Sequence, residues 1–300
     1  MSGMAQTPAS GILFALSAGI LWGFVPVYIN FFGNVDPLEI VAHRSLWSLV
    51  MLFGIVMWRR QISMALSVFV NKKQLVSFII TACFLSANWT VYVYAVQSGH
   101  VASAALGYFI YPILTVLLGI IILRERLGRW AWLAICCVII GVLVKSFFIA
   151  GVPWIALTVA VTFSFYAVVR KGLEADPILG LFIETLMLLP ITLAFLGWLA
   201  WAGQSIFFGG GVMFVFLAMF VGVLTVVPLI LFHFGNQLLS MTTASLLFYS
   251  NPTTQLLLAI LLFDEAFAAH DLLAFGPIWF GIAIYFITLP KSRRPALVTG

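Results

Sequence analysis

Apolar residues run in long blocks along this chain, and polar residues fall in short clusters between them. Ten blocks stand out, over residues 10–32, 37–58, 74–96, 102–123, 130–149, 152–169, 177–200, 212–234, 242–263 and 271–290. Each is close to the ~20 residues that a helix needs to cross a bilayer. The breaks are Arg59 to Lys73, Gln97 to His100, Arg124 to Arg129, Arg170 to Asp176 and Asp264 to Asp271. The blocks lack the alternation of barrel strands. In lipid each segment must satisfy its own backbone, so the pattern predicts an all-α membrane protein with ten transmembrane helices. The first block is long, has no Lys or Arg before it and is followed by nine more, so it reads as a span rather than a cleaved signal peptide.

Composition narrows the class. Hydrophobic residues make up 64% of the chain and charged residues 8%, against roughly a quarter charged in soluble domains. That excludes a soluble enzyme, a disordered protein and a nucleic-acid binder. Cys83, Cys136 and Cys137 lie inside apolar runs and imply no disulfide framework. The net charge of +5 reads as topology. Arg59, Arg60, Lys72, Lys73, Arg124, Arg126, Arg129, Arg170, Lys171, Lys291, Arg293 and Arg294 all fall on one side of the predicted membrane. The positive-inside rule puts that side, and both termini, in the cytoplasm. Lys145 lies near the other side and can snorkel. Residues 62–70 fit either a short interfacial helix or a plain loop.

Shifted by 140 residues, the sequence partly matches itself without a gap. Asp36-Pro37 falls on Asp176-Pro177, Gln97 on Gln237, Pro112 on Pro252, Glu125 on Glu265 and Gly141 on Gly281. This predicts two repeats, residues 1–149 and 150–300. Each holds five spans, an odd number, so the second enters the membrane inverted. Inverted repeats are a recurrent plan of secondary transporters, where mirrored halves give two conformations of similar energy.

Several stretches resemble the EamA branch of the drug/metabolite transporter superfamily, and within it the RarD-type and YddG-type exporters. They are His43-Arg44 with Trp47-Ser48, Asn88-Trp89 with Tyr92, and Leu106 to Pro112 with Leu117-Leu118-Gly119 and Glu125-Arg126-Leu127. In the second half they are Phe163-Ser164-Phe165 with Arg170-Lys171, Gly180 to Thr185, and Thr225 to Leu229. Tyr111-Pro112 departs from the Asn-Pro of RarD-type relatives. The resemblance implies ten spans around a central cavity, a bacterial-type cytoplasmic membrane, and export of amino acids, aromatic ones included, or similar small metabolites.

Candidate path residues follow from cost. An Arg or Asp at a helix centre costs about 2.5–3.5 kcal/mol on insertion scales and so faces a cavity or a partner. Arg44, beside His43, and Glu184 each lie about 10 Å deep by helical rise. They coincide under the shift, so inversion sets them in opposite thirds of the membrane. Either can serve a substrate, and Glu184 can carry a proton; a satisfied polar network is the plainer reading. His43 titrates near neutral pH when free, although a lone histidine in a span is more often a bonded core residue. Tyr108, Tyr111 and Thr115 share a helical face, with Phe248, Asn251 and Gln255 as their mates; Asn88 and Tyr92 share another. Tyr166 and Tyr249 complete the aromatic candidates. Pro112 and Pro252 are expected as paired bends. Gly19 and Gly23 allow close helix approach. Trp22, Trp58, Trp130, Trp198 and Trp201 read as interface anchors.

No G-x-x-x-x-G-K-[ST] loop is present, so ATP drive is not expected. The histidines and cysteines lack metal-ligand spacing, and no cofactor, metal site or nucleic-acid partner is expected. The reading is a secondary transporter working by alternating access on a small-molecule substrate, with lipid and protons as further partners. A multidrug exporter, a passive channel and a lipid-handling protein are the alternatives.

Overall fold

The computed structural model describes residues 8–33, 35–148, 153–173, 175–205, 207, 211–262 and 269–288. Among them are α1 (Pro8–Gly23), α2 (Val25–Asn30), α3 (Pro37–Trp58), α4 (Ile62–Ser67), α5 (Lys72–Gln97), α6 (Val101–Ile121) and α7 (Arg129–Phe148). The remainder are α8 (Pro153–Gly172), α9 (Pro177–Trp201), α10 (Gly211–Leu238), α11 (Met241–Leu247), α12 (Ser250–Leu262) and α13 (Ala269–Thr288). Nine helices of the described residues are long and apolar enough to cross a membrane, the first of them running through α1 and α2. The block expected over 242–263 is split into α11 and α12, and neither alone has the length of a span.

Both interruptions have a local cause. Proline lacks the N–H that bonds four residues back. Pro26 therefore has no N–H to offer the Trp22 carbonyl, and α1 gives way to α2 at Phe24. Pro252 likewise leaves the Phe248 carbonyl, which accepts from Asn251 N at 2.9 Å in a tighter turn instead. Pro112, by contrast, sits inside an unbroken α6. There the Tyr111 carbonyl accepts from Thr115 Oγ1 at 2.9 Å and from Ser164 Oγ of α8 at 3.2 Å.

Helix starts follow from caps. Asp36 accepts from Leu38 N at 2.7 Å, and Asp176 from Ile178 N at 3.0 Å and Leu179 N at 2.9 Å, each with proline at the first helical position. Ser240 caps α11, and Glu125 reaches the same helix start. Its two carboxylate oxygens accept from Met241 N at 2.6 Å, Thr242 N at 3.2 Å and Thr242 Oγ1 at 2.9 Å. Residues 62–70 include the short helix α4.

Helices α1–α6 and α8–α12 form one compact unit, and α7 with α13 forms a second. In the first unit, glycines set close approaches. A side chain at Gly19 would meet Ser250, and one at Gly23 would meet Thr254, so α1 lies against α12 as the Gly-x-x-x-Gly spacing implied. Gly222 of α10 leaves room for the backbone of Trp47 and Ser48 on α3. In the second unit, Gly141 faces the Ala274 carbonyl and Gly281 faces the Ala134 carbonyl. Lys145 Nζ donates to Asp271 Oδ1 at 2.7 Å across the same pair.

Contacts recur at the offset of 140 residues. Gln97 Nε2 donates to the Val35 carbonyl at 2.5 Å, and Gln237 Nε2 to the Ala175 carbonyl at 2.8 Å. Tyr108 and its mate Phe248 have ring centroids 5.8 Å apart. Tyr249 donates its hydroxyl to the carbonyl of its own mate, Phe109, at 2.8 Å.

Candidate functional site

Inside the first unit, a narrow hollow is lined by Trp22, Val25, Arg44, Asn88, Trp89, Tyr92, Tyr108, Phe163, Leu229, Phe248 and Asn251. The walls are rings: Tyr92 and Tyr108 have centroids 5.5 Å apart, and Trp22 lies 5.6 Å from both Phe163 and Phe248.

Arg44 supplies the charge. It is buried, its guanidinium stands 4.7 Å over the Trp89 ring, and its Nε donates to Thr225 Oγ1 at 2.7 Å. Among the described residues no carboxylate lies within ion-pair distance of it. A buried cation without a partner carries a penalty of several kcal/mol, of which a cation–π contact returns about 0.5–2 kcal/mol. An anion beside the guanidinium would relieve the remainder. Asn88 is held by its Nδ2, which donates to the Val159 carbonyl at 3.0 Å and Thr162 Oγ1 at 3.2 Å. That leaves its oxygen as the group it can offer. Asn251 accepts from Gln255 Nε2 at 2.9 Å, so Gln255 orients a lining residue and does not itself line the space.

Tyr111 sits behind the wall, 4.6 Å from Phe248 and 4.9 Å from Phe163. Tyr249 is turned to the Phe109 carbonyl. His43 faces a separate apolar hollow with Phe32, Val35 and Phe214, stacked 4.7 Å from Phe207 and 3.8 Å from Glu39 Oε1. Glu39 is held in turn by Ser205 Oγ at 2.8 Å.

Glu184 is not at the cavity. It is fully buried against Arg170, Oε1 to Nε at 3.3 Å. That contact is an ion pair without hydrogen-bond alignment, since neither atom has a hydrogen-bond partner. Tyr166 donates to Glu184 Oε2 at 3.1 Å and lies 2.7 Å from His233 Nε2. The reading of Arg170 as a solvated topology charge is thereby corrected. The side chain is buried, donates to the Asp176 carbonyl at 3.1 Å, and occupies a notch that exists because residue 180 is glycine. Trp22 is corrected in the same way. It lines the hollow well inside the Ala9–Asn30 span, whereas Trp58, Trp130, Trp198 and Trp201 are exposed as anchors should be.

Sequence reasoning also missed Trp89, Phe163, Thr225 and Leu229 as site residues. All four fell within the resembling stretches; only their adjacency to Arg44 in space singles them out.

A bundle of apolar spans closed around a ring-walled hollow defines a multi-pass membrane protein. Comparison with known proteins agrees. The chain is 33% identical to an uncharacterized transporter of Vibrio cholerae serotype O1, over 97% of this chain and 96% of that one. It is 32% identical to Protein RarD of Escherichia coli K12, over 97% and 98%. It is 30% identical to a chloramphenicol-sensitive protein RarD of Pseudomonas aeruginosa, over 91% and 92%. The model of the EamA-like transporter family matches residues 9–147. A crystal structure shares the fold with a TM-score of 0.68 at 18% identity, covering 94% of this chain and 99% of its own. The chain belongs to the EamA-like transporter family, a family of transporters and not of enzymes.

Proposed function

We propose that this chain is a secondary exporter of amino acids, aromatic ones included, and of related carboxylate-bearing metabolites, acting by alternating access. One observation carries the reading: Arg44 is buried in an aromatic cavity and no described carboxylate pairs with it. A substrate carboxylate takes that place, while Trp22, Tyr92, Tyr108 and Phe248 hold an apolar or aromatic side chain. The oxygens of Asn88 and Asn251 suit an ammonium group. The lining part of the expected set therefore keeps its role as substrate contacts, while Tyr111, Tyr249 and Gln255 brace it. His43, Tyr166 and Glu184 leave the set of substrate contacts.

The repeated contacts at an offset of 140 residues support two inverted repeats, and with them two conformations of similar energy. Pro112, inside the unbroken α6, and Pro252, just after the break between α11 and α12, lie one turn beyond Tyr108 and Phe248 and serve as the hinges of that wall. The Lys and Arg distribution supports a cytoplasmic-membrane location with both termini inside. A multidrug exporter shares the ring walls but has no use for an unpaired buried cation.

The test is counterflow in proteoliposomes holding the purified chain, with labelled amino acids. Saturable, counterflow-stimulated uptake that Arg44→Ala abolishes supports the reading. Uptake by Arg44→Ala at the wild-type rate, with normal protein levels, removes Arg44 from the mechanism. Linear, unsaturable flux makes the protein a channel.

A further inference from the structure

The buried group of Glu184, Arg170, Tyr166 and His233 lies outside the hollow that Arg44 lines. Its atoms obey a strict count. Tyr166 has one hydroxyl proton and two partners at hydrogen-bond distance, Glu184 Oε2 at 3.1 Å and His233 Nε2 at 2.7 Å. When it donates to a Glu184 carboxylate, His233 must donate Nε2–H to the phenol oxygen. When Glu184 is protonated on Oε2, that O–H donates to Tyr166, Tyr166 donates to Nε2, and His233 carries its proton on Nδ1. Both arrangements are fully bonded along the chain. They differ by one added proton: an O–H bond forms at Glu184, and on His233 an N–H bond breaks at Nε2 and one forms at Nδ1.

The geometry points to this chain as a proton-binding relay, by which one proton exchanges for one substrate in each transport cycle. This rests on the transport reading above. The link to movement is Arg170. With Glu184 ionised, Arg170 has its counter-ion, and it fastens the turn from α8 to α9 by donating to the carbonyls of Ala175 and Asp176 at 3.5 and 3.1 Å. With Glu184 neutral, the buried guanidinium loses its only described carboxylate partner, and the fastening of α8 to α9 weakens. Helix α9 packs on α3, which carries Arg44. Other groups leave Glu184 to this set. From α5, Thr81 and Phe78 face the pair. Lys171 is turned to the Leu239 carbonyl, Asp176 to Arg59, and on α3 His43 and Glu39 pair with each other while Arg44 faces the cavity.

Two measurements test it. The first needs no substrate: infrared difference spectra of the purified protein in D₂O, taken across about pH 5 to 9. A protonated-carboxyl band that titrates, vanishes in Glu184→Gln and shifts in Tyr166→Phe is the expected result. Absence of any titrating carboxyl band assigned to Glu184 overturns the relay. The second uses proteoliposomes and labelled phenylalanine. Tyr166→Phe, which keeps the Glu184–Arg170 pair, should retain counterflow yet lose accumulation driven by a pH gradient by roughly tenfold or more. Gradient-driven accumulation equal to wild type in Tyr166→Phe overturns the coupling. Failure of wild-type counterflow with phenylalanine strikes the proposed substrate instead, and the infrared result then decides the relay alone.

Discussion

Arg44 on α3 and Thr225 on α10 are joined by one hydrogen bond, Nε to Oγ1 at 2.7 Å, across 181 residues of sequence. Gly222, one turn earlier on α10, is what lets them meet, because any side chain there would strike the backbone of Trp47 and Ser48. Using Nε for Thr225 leaves the two terminal nitrogens of the guanidinium as the edge that can grip a carboxylate with two parallel bonds.

Thr225→Val keeps the shape and removes that hydrogen bond. A buried bond of this kind contributes about 1–1.5 kcal/mol, so the half-saturating substrate concentration should rise roughly tenfold. Thr225→Ser should stay near wild type. Saturation curves from counterflow, at matched protein levels, check both.

Trp22 touches Phe163, Phe232 and Phe248 with centroids 5.3 to 5.6 Å apart. Trp22→Ala removes one of the two indole rings of the wall. Affinity for an aromatic amino acid should fall by about 1–3 kcal/mol of lost contact, and affinity for alanine should change little. Competition by unlabelled phenylalanine and alanine against one labelled substrate reads the difference.

Two glycines of α9 should behave oppositely. A methyl at Gly180 would collide with the Arg170 guanidinium, which is held by Glu184, Ala175 and Asp176. Gly180→Ala should therefore destabilise the protein by about 3–5 kcal/mol, the scale of a broken buried ion pair. At Gly197 nothing lies within 4 Å of the added carbon, and Gly197→Ala should be neutral or stabilise by up to about 1 kcal/mol. Thermal unfolding in detergent ranks the two.

Glu125 satisfies the start of the short helix α11 with three hydrogen bonds. Glu125→Ala should cost about 1–3 kcal/mol, because two backbone N–H donors lose their acceptor. Glu125→Gln keeps one acceptor oxygen and should cost less than half as much. Hydrogen exchange at Met241 and Thr242 should accelerate in the alanine variant.

Most of the fold was legible because lipid leaves a chain few options: apolar blocks of fixed length become helices. The breaks at Phe24 and Phe248 were harder, since a proline inside a span interrupts one helix and leaves another whole, as Pro112 does. Arg44 stood out by cost alone. Arg170 did not, because an Arg-Lys pair at a helix end looks like any topology signal until Gly180 and Glu184, ten and fourteen residues on, are seen to receive it. Trp22, by contrast, was legible: it lies near the middle of the 10–32 block, far from either end where an anchor sits.

The central claim is that Arg44 binds a substrate carboxylate. Its most direct test compares binding of phenylalanine and phenylalanine amide to the purified protein by calorimetry, for the wild type and Arg44→Gln. The account predicts that the wild type binds the acid at least roughly tenfold more tightly than the amide, and that Arg44→Gln erases the preference. Equal binding of acid and amide by the wild type, or an unchanged preference in Arg44→Gln, contradicts it.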